Sequence, residues 1–159
     1  MLHVITGCMF SGKTTHLIKA ASLGGLVIDY DTSTSLGSLT SHSMETIDCL
    51  TTKDLSNVYA TDATSIFINE AQFFDGLVPF VKKMMSLGKH VHVYGLDGDF
   101  KQEKFGNILD LIPMADTYTK LYAICEQCSG KASFSKRLSS HTNQYRPHDS
   151  YIPVCRACL

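Results

Sequence analysis

The chain has 159 residues, of which 44% are hydrophobic and 18% are charged, and its formal net charge is −1. This length suits one ordinary domain with a small appendage. The near-neutral charge argues against a broad nucleic-acid-binding surface, because such a surface needs a clearly basic face. No apolar run approaches the roughly 18 residues of a membrane-spanning helix. Residues 1–5 lack the basic segment and cleavage pattern of a signal peptide, so we expect a cytoplasmic protein. From the charge and the lack of a long apolar run, we expect no nucleic-acid partner and no membrane partner.

The predicted elements alternate between strands and helices. Apolar spacing predicts, in chain order, a strand at 2–6, a helix at 14–23, strands at 26–28 and 65–68, a helix at 77–87 and a strand at 90–94. Residues 31–46 are rich in Ser and Thr, which predicts a mobile surface loop. The alternation implies βαβ units, a mainly parallel sheet and an α/β fold. Beyond Cys125 the chain is polar and framed by cysteines, which indicates a separate lobe that needs a staple such as zinc.

Residues 7–14 read Gly-Cys-Met-Phe-Ser-Gly-Lys-Thr and fit the phosphate-loop pattern G-x-x-x-x-G-K-[ST] without a mismatch. In this pattern backbone N–H groups surround phosphate oxygens, Lys13 reaches the β- and γ-phosphates, and the Thr14 hydroxyl ligates Mg²⁺. A chance match is the alternative, but the strand before and the helix after the motif argue against it. The motif alone does not separate a kinase from an ATPase or a GTPase. The predicted nucleotide-binding residues are Gly7, Met9, Phe10, Ser11, Gly12, Lys13, Thr14 and Thr15.

An acidic residue, Glu70, follows the predicted strand at 65–68. The carboxyl ends of parallel strands face the phosphate loop in such sheets. A carboxylate there can orient and deprotonate a substrate hydroxyl, so Glu70 is the predicted catalytic base. The alternative is a solvated glutamate at a strand end.

Four of the six cysteines form two Cys-x-x-Cys pairs, namely Cys125, Cys128, Cys155 and Cys158. Two such pairs supply four thiolates for a closed tetrahedral zinc site, which would be structural because no coordination position stays open. Four buried thiols or two disulfides are the alternatives. Cys8 and Cys49 lack a partner pattern and are interpreted as ordinary thiols.

Five segments, in the same order along nearly the whole chain, together resemble the type II thymidine kinases. They are the phosphate loop, Asn-Glu-Ala-Gln-Phe-Phe at 69–74, Leu-Asp-Gly-Asp-Phe at 96–100, Ser-Lys-Arg-Leu at 135–138 and Val-Cys-Arg-Ala-Cys at 154–158. The resemblance implies an α/β fold with a P-loop (RecA-like) parallel sheet flanked by helices at 1–124. It also implies a small C-terminal zinc-binding lasso domain at 125–159.

The chemistry that the resemblance implies is transfer of the γ-phosphoryl group of ATP, with Mg²⁺, to the 5′-hydroxyl of thymidine. Glu70 then stands at the general-base position, and Thr14 and Asn69 stand at the magnesium positions. Family members are commonly homotetramers and are inhibited by the end product, thymidine triphosphate. The positions that match the family's thymidine site are Met9, Phe73, Leu96, Phe100, Phe105, Arg137 and Tyr151. Without the resemblance, the apolar members of this set would be read as core.

Three departures from the family pattern bear on activity. Asn69 replaces the Asp that helps to hold hydrated Mg²⁺. The family's Arg after the second strand is absent, since no Arg or Lys occurs between Lys19 and Lys53, and Asp31 matches the neighbouring acidic residue only loosely. The lasso has Tyr-Arg-Pro-His at 145–148 where the family has an Ile-Gly-Gly turn.

These departures keep two other functions open. One is a P-loop kinase that phosphorylates a different nucleoside because its lasso differs. The other is a weakly active or inactive homologue that acts as a nucleotide- or nucleic-acid-binding zinc module, for which the supporting basic patch is Lys131, Lys136, Arg137 and Arg146. The lack of aromatic residues interleaved with these basic ones argues against the second.

Overall fold

The computed structural model describes residues 1–58, 61–146 and 149–159. Its largest element is a seven-stranded sheet built from β1 (Leu2–Gly7), β2 (Leu26–Tyr30), β3 (Ser35–Thr40), β4 (Thr46–Thr52), β5 (Ser65–Ile68), β6 (His90–Gly95) and β7 (Thr117–Leu121). The strand order is β3-β4-β2-β5-β6-β1-β7. All neighbouring strands are parallel except β3 and β4, so the prediction of a mainly parallel α/β sheet is confirmed.

Two helices flank the sheet, α1 (Lys13–Ala21) and α2 (Leu77–Ser86). Short 3₁₀ turns cover Leu55–Val58, Ala71–Phe73, Ile108–Met114 and Arg156–Cys158. Strand side chains alternate between two apolar clusters, so that Val4 packs with the α2 residues and Ile5 packs with the α1 residues. Burial on both faces explains why these strands read as nearly continuous apolar runs. No helix in the described ranges is long and apolar enough to cross a membrane.

The prediction of a mobile loop over residues 31–46 is wrong for residues 35–40 and 46, because β3 pairs with β4 in an antiparallel hairpin. The register runs from Ser35 opposite Thr51 to Thr40 opposite Thr46. Cross-strand hydroxyl pairs reinforce the hairpin, with Ser35 Oγ 2.8 Å from Thr51 Oγ1. Leu39 is buried on the α1 side of the sheet, which gives the hairpin one apolar anchor. The Ser and Thr content therefore reflects a polar, half-exposed hairpin and not a loop.

The predicted strand at 65–68 matches β5, and the other predicted elements differ from the structure by one or two residues at their ends. Sequence reasoning missed β7 and both strands of the hairpin, β3 and β4. After β7 the chain forms two small antiparallel pairs, β8 (Ala123–Ile124) with β9 (Lys131–Ala132) and β10 (Phe134–Arg137) with β11 (Tyr151–Val154). This lobe has an apolar cluster of its own around Ala132 and Val154.

Candidate active site

A cavity of about 440 Å³ opens beside the glycine loop that joins β1 to α1. The predicted site residues that line it are Met9, Phe10, Ser11, Gly12, Lys13, Thr14, Thr15, Glu70, Phe73, Leu96, Phe100, Phe105 and Tyr151. The structure therefore brings together, in one cavity, the glycine loop, the predicted catalytic base Glu70 and the residues predicted to bind the nucleobase. Of the residues predicted to bind ATP, magnesium or thymidine, Gly7, Asn69 and Arg137 lie outside the lining.

The glycine loop has the backbone of a phosphate-binding turn. Gly12 has φ 80° at the residue before α1, a conformation that disfavours any side chain. A Cβ on Gly7 would lie 2.6 Å from the carbonyl oxygen of Leu121, so the close approach of β7 also requires glycine. The first N–H groups of α1 have no helical partner and are the natural donors for an anion.

Lys13 folds back onto this loop. Its Nζ donates to the carbonyl oxygens of Gly7 at 3.0 Å and Cys8 at 2.8 Å. Burial lowers the pKa of Lys13, and the negative charge of Glu70 partly opposes that shift. The ammonium group thus has carbonyl partners that phosphate oxygens can replace.

Glu70 follows β5 and adopts a left-handed backbone conformation with φ 47° and ψ 40°. Gln72 Nε2 donates to Glu70 Oε2 at 2.5 Å, and Gln72 Oε1 accepts from the backbone N–H of Leu96 at 2.9 Å. A Cβ on Gly95 would lie 2.5 Å from Gln72 Oε1, so the strand end makes room for this amide. Sequence reasoning missed Gln72, although it lies within the quoted motif at 69–74.

Asn69 precedes Glu70 in the chain, does not line the cavity and is 4% exposed. Its Nδ2 donates to Asp29 Oδ1 at 2.9 Å, and its backbone N–H donates to the carbonyl oxygen of Ile28 at 2.8 Å. Burial raises the pKa of Asp29, and the Asn69 hydrogen bond opposes that shift. The pair joins the carboxyl ends of β2 and β5 and offers oxygen atoms of the kind that Mg²⁺ prefers.

Aromatic rings form one wall of the cavity around Phe73. Its ring centroid lies 5.1 Å from Tyr30, 5.4 Å from Phe105 and 4.7 Å from Tyr145. Tyr30 and Tyr145 both line the cavity, and sequence reasoning missed both as site residues. The departure from the family's lasso turn at 145–148 was the available signal for Tyr145; Pro147 and His148 of that stretch lie outside the described residues.

Arg137 is the centre of a buried network in the lobe, and its side chain is 1% exposed. Its guanidinium donates to the Tyr151 hydroxyl at 3.0 Å and to the carbonyl oxygens of His141 at 2.9 Å and Asn143 at 2.5 Å. It also pairs with Asp149 at 3.1 Å. Since these partners lie in the lasso, Arg137 holds the lasso together instead of lining the cavity.

The lobe is tied to the sheet on two sides of the cavity. The backbone N–H of Met9 donates to Ser135 Oγ at 2.9 Å, which joins the glycine loop to β10. Gln144 Nε2 donates to Asp99 Oδ2 at 3.0 Å and to the carbonyl oxygen of Lys104 at 3.2 Å. The lasso is thereby fixed against the segment that follows β6.

The four predicted zinc ligands converge. All four Sγ atoms lie within 4.8 Å of one another, and those of Cys128 and Cys155 are 3.6 Å apart. Tetrahedral zinc with bonds of about 2.3 Å would separate its sulfur ligands by about 3.8 Å, so the cluster fits this ion. Cys8 and Cys49 lie apart as buried free thiols.

The sequence of the chain is similar to those of several known proteins. A sequence model of the family described as thymidine kinase matches residues 1–159. The cytosolic thymidine kinase of Gallus gallus is 37% identical over 169 residues, which cover 99% of this chain and 75% of that protein. The thymidine kinase of Yaba monkey tumor virus is 39% identical, with 99% and 93% covered. That of Oryza sativa subsp. japonica is 38% identical, and the match spans 98% of this chain and 64% of the plant protein.

Proposed function

Because this chain belongs to the thymidine kinase family, we propose that it transfers the γ-phosphoryl group of ATP to the 5′-hydroxyl of thymidine. The observation that carries this proposal is the single cavity shared by the glycine loop, Glu70 and an aromatic wall. A phosphate donor and a hydroxyl acceptor bound there would be adjacent. An apolar wall with few polar groups suits a nucleobase.

In this mechanism Glu70 accepts the proton of the 5′-hydroxyl while the 5′-oxygen attacks the γ-phosphorus. The bond from that phosphorus to the β,γ-bridging oxygen breaks, and ADP leaves with the electron pair. Gln72 holds the Glu70 carboxylate in place through its 2.5 Å hydrogen bond. Lys13 exchanges its bonds to the carbonyls of Gly7 and Cys8 for bonds to the β- and γ-phosphates.

Mg²⁺ would neutralise charge on the phosphates when bound with ATP. The Thr14 hydroxyl is the proposed direct ligand, and the Asn69 amide oxygen is the proposed acceptor for a metal-bound water. Asn69 already donates to Asp29, so the pair retains one carboxylate close to the position where the family's acidic residue is replaced.

The nucleobase is proposed to lie among six of the residues that line the cavity, namely Met9, Phe73, Leu96, Phe100, Phe105 and Tyr151. Tyr151 offers a ring to the base while its hydroxyl accepts from Arg137. Arg137 is assigned to the thymidine site indirectly, since it fixes the lasso carbonyls and Tyr151.

We propose a nucleotide-binding domain at residues 1–124 and a lasso domain at residues 125–159 that a structural Zn²⁺ stabilises; the short strand β8 at the boundary pairs with β9 of the lasso domain. We further propose a cytoplasmic homotetramer that thymidine triphosphate inhibits and that has no nucleic-acid partner. The relative named as cytosolic supports the compartment, and the near-neutral net charge supports the absence of a nucleic-acid partner. The tetramer and its inhibitor follow from the resemblance to the type II thymidine kinases. A filter-binding assay with single-stranded DNA at moderate salt should detect no complex.

A kinase for a different nucleoside is the second candidate, and Tyr145 favours it. This lasso residue makes an edge-to-face contact with Phe73, with ring centroids 4.7 Å apart, and lines the cavity, where the family has an Ile-Gly-Gly turn. The test is the rate of 5′-monophosphate formation from ATP with thymidine, deoxycytidine, deoxyuridine and deoxyguanosine in parallel. Thymidine should have the highest kcat/KM, and a higher value for any other nucleoside would reassign the acceptor.

A further inference from the structure

The turn between β3 and β4, residues 41–45, lies against the glycine loop. His42 lines the same cavity as residues 9–15, and its ring centroid is 5.1 Å from that of Phe10. Ser43 Oγ lies within hydrogen-bonding distance of Thr15 Oγ1, at 3.3 Å. The hairpin turn therefore contacts both the middle of the loop and the first turn of α1.

Hydrogen bonds within the turn fix this arrangement. The backbone N–H of Ser41 donates to the carbonyl oxygen of Glu45 at 2.9 Å, and that of Met44 donates to Ser41 at 3.0 Å. Ser41 Oγ accepts from the Glu45 N–H at 3.2 Å, and Ser43 Oγ donates to Glu45 Oε2 at 3.1 Å. Residue 42 is thus presented to the cavity by a closed turn and not by a free strand end.

The small number of basic side chains at the cavity makes His42 a candidate for phosphate binding. Among the described residues that line the cavity, only Lys13 and His42 have basic side chains. No Arg or Lys occurs between Lys19 and Lys53, so the stretch after β2 supplies no other phosphate-binding cation. Phosphoryl transfer depends on several positive groups around the transferred phosphate, and Lys13 alone supplies only one.

The His42 imidazole is also available. It is exposed, and within the described ranges its ring makes a contact with Phe10 but no hydrogen bond to another residue. An imidazole presents an N–H donor in either charge state.

We propose that His42 binds the triphosphate of ATP and serves as the second phosphate-binding side chain of this site, in place of the missing arginine. The proposal rests on the proposed function only in taking ATP as the phosphate donor. Phe10 and the Ser43 contact to Thr15 position the ring, and the hairpin acts as one side of the nucleotide site.

The experiment is calorimetric titration of MgATP and of MgAMP into the intact, zinc-loaded chain. The variants are His42→Ala, His42→Arg and, as a matched control in the same turn, Met44→Ala, at a residue that is 80% exposed. His42→Ala should weaken MgATP binding by roughly ten- to a hundredfold, the usual effect of removing a hydrogen bond to a charged group. His42→Arg should restore most of the affinity, and Met44→Ala should bind like the wild type.

An unchanged affinity for MgATP in His42→Ala would overturn the proposal. An equal loss for MgATP and MgAMP would also overturn it, because AMP lacks the β- and γ-phosphates and an equal loss indicates a distorted turn. If the wild type binds MgATP in a His42-dependent way but does not phosphorylate thymidine, the acceptor assignment fails while the His42 contact stands. If the wild type does not bind MgATP, the nucleotide site and the His42 contact both fail.

Discussion

The side-chain amide of Gln72 bridges the predicted base and the end of a neighbouring strand, donating to Glu70 at 2.5 Å and accepting from Leu96 N–H at 2.9 Å. Gln72→Met should therefore lower kcat by roughly tenfold, since the carboxylate loses the donor that orients it. The KM for ATP should change little, because the glycine loop is untouched. Steady-state kinetics check this, and a change confined to the KM for ATP would refute the positioning role.

The same substitution leaves the Leu96 N–H without its buried acceptor. Such an orphaned group costs about 1–3 kcal/mol. Urea unfolding should therefore show a free energy of unfolding lowered by this amount. Gln102→Met, at an exposed position, is the matched control and should leave both kcat and stability unchanged.

The four clustered thiolates are proposed to hold a structural zinc ion that stabilises the lasso lobe. Cys155→Ser should release the ion and raise the KM for thymidine, because removing one thiolate opens the site. Metal content by atomic emission and steady-state kinetics check the result. Cys49→Ser, a substitution of a buried thiol outside the cluster, should keep the zinc. Full zinc occupancy and normal kinetics in Cys155→Ser would disprove the structural-zinc assignment.

Arg137 organises the lasso through buried bonds to carbonyl oxygens and to Asp149. Arg137→Met should make residues 138–146 more susceptible to limited proteolysis and should raise the KM for thymidine more than the KM for ATP. Removing the guanidinium leaves the Asp149 carboxylate without its partner, so the lobe should also unfold at lower denaturant concentration. Lys131→Met, at an exposed lysine of the same lobe, should behave like the wild type.

A stack of two histidine rings outside the cavity lining predicts acid sensitivity. The His92 ring lies 4.7 Å from His3 and 4.5 Å from Phe67. Burial lowers the pKa of His92 from 6.5 to about 4, and the neighbouring His3 and His90 add to the shift. Between those values the unfolded chain binds more protons than the folded one, so the free energy of unfolding should fall as the pH drops from 6.5 towards 4.

His92→Phe keeps the ring stack but removes this titration. Its urea midpoint should therefore decline less steeply than that of the wild type over the same pH range. His141→Phe, at an exposed position, serves as the control and should keep the wild-type slope. Parallel slopes for His92→Phe and the wild type would show that His92 does not contribute.

The features that the sequence predicted correctly are local ones. The glycine loop and β5 are defined by adjacent residues, and the four cysteines by their pairwise spacing. The hairpin β3–β4 escaped prediction because its stability comes from cross-strand pairing, and its Ser and Thr residues also suit loops.

The missed cavity residues share a physical explanation. Tyr30, His42 and Tyr145 reach the cavity from three separate segments, and only the tertiary fold brings them together. The role of Gln72 is visible only in its two hydrogen bonds. No spacing in the sequence marks an amide side chain as a partner of the catalytic base. Arg137 shows the reverse case, because the resemblance identified the residue but not the buried network that occupies it.

The most direct test of the central claim is the initial rate of thymidine 5′-monophosphate formation from thymidine and MgATP, measured for the zinc-loaded wild type, Glu70→Gln and Glu103→Gln. Glu103 is exposed and lies outside the cavity lining, so it is a matched control. The wild type and Glu103→Gln should turn over, while Glu70→Gln should bind MgATP normally and lose about 10²–10⁴-fold in kcat, the range for a general base. Turnover of Glu70→Gln at the wild-type rate, or no thymidine phosphorylation by the folded wild type, would contradict the account.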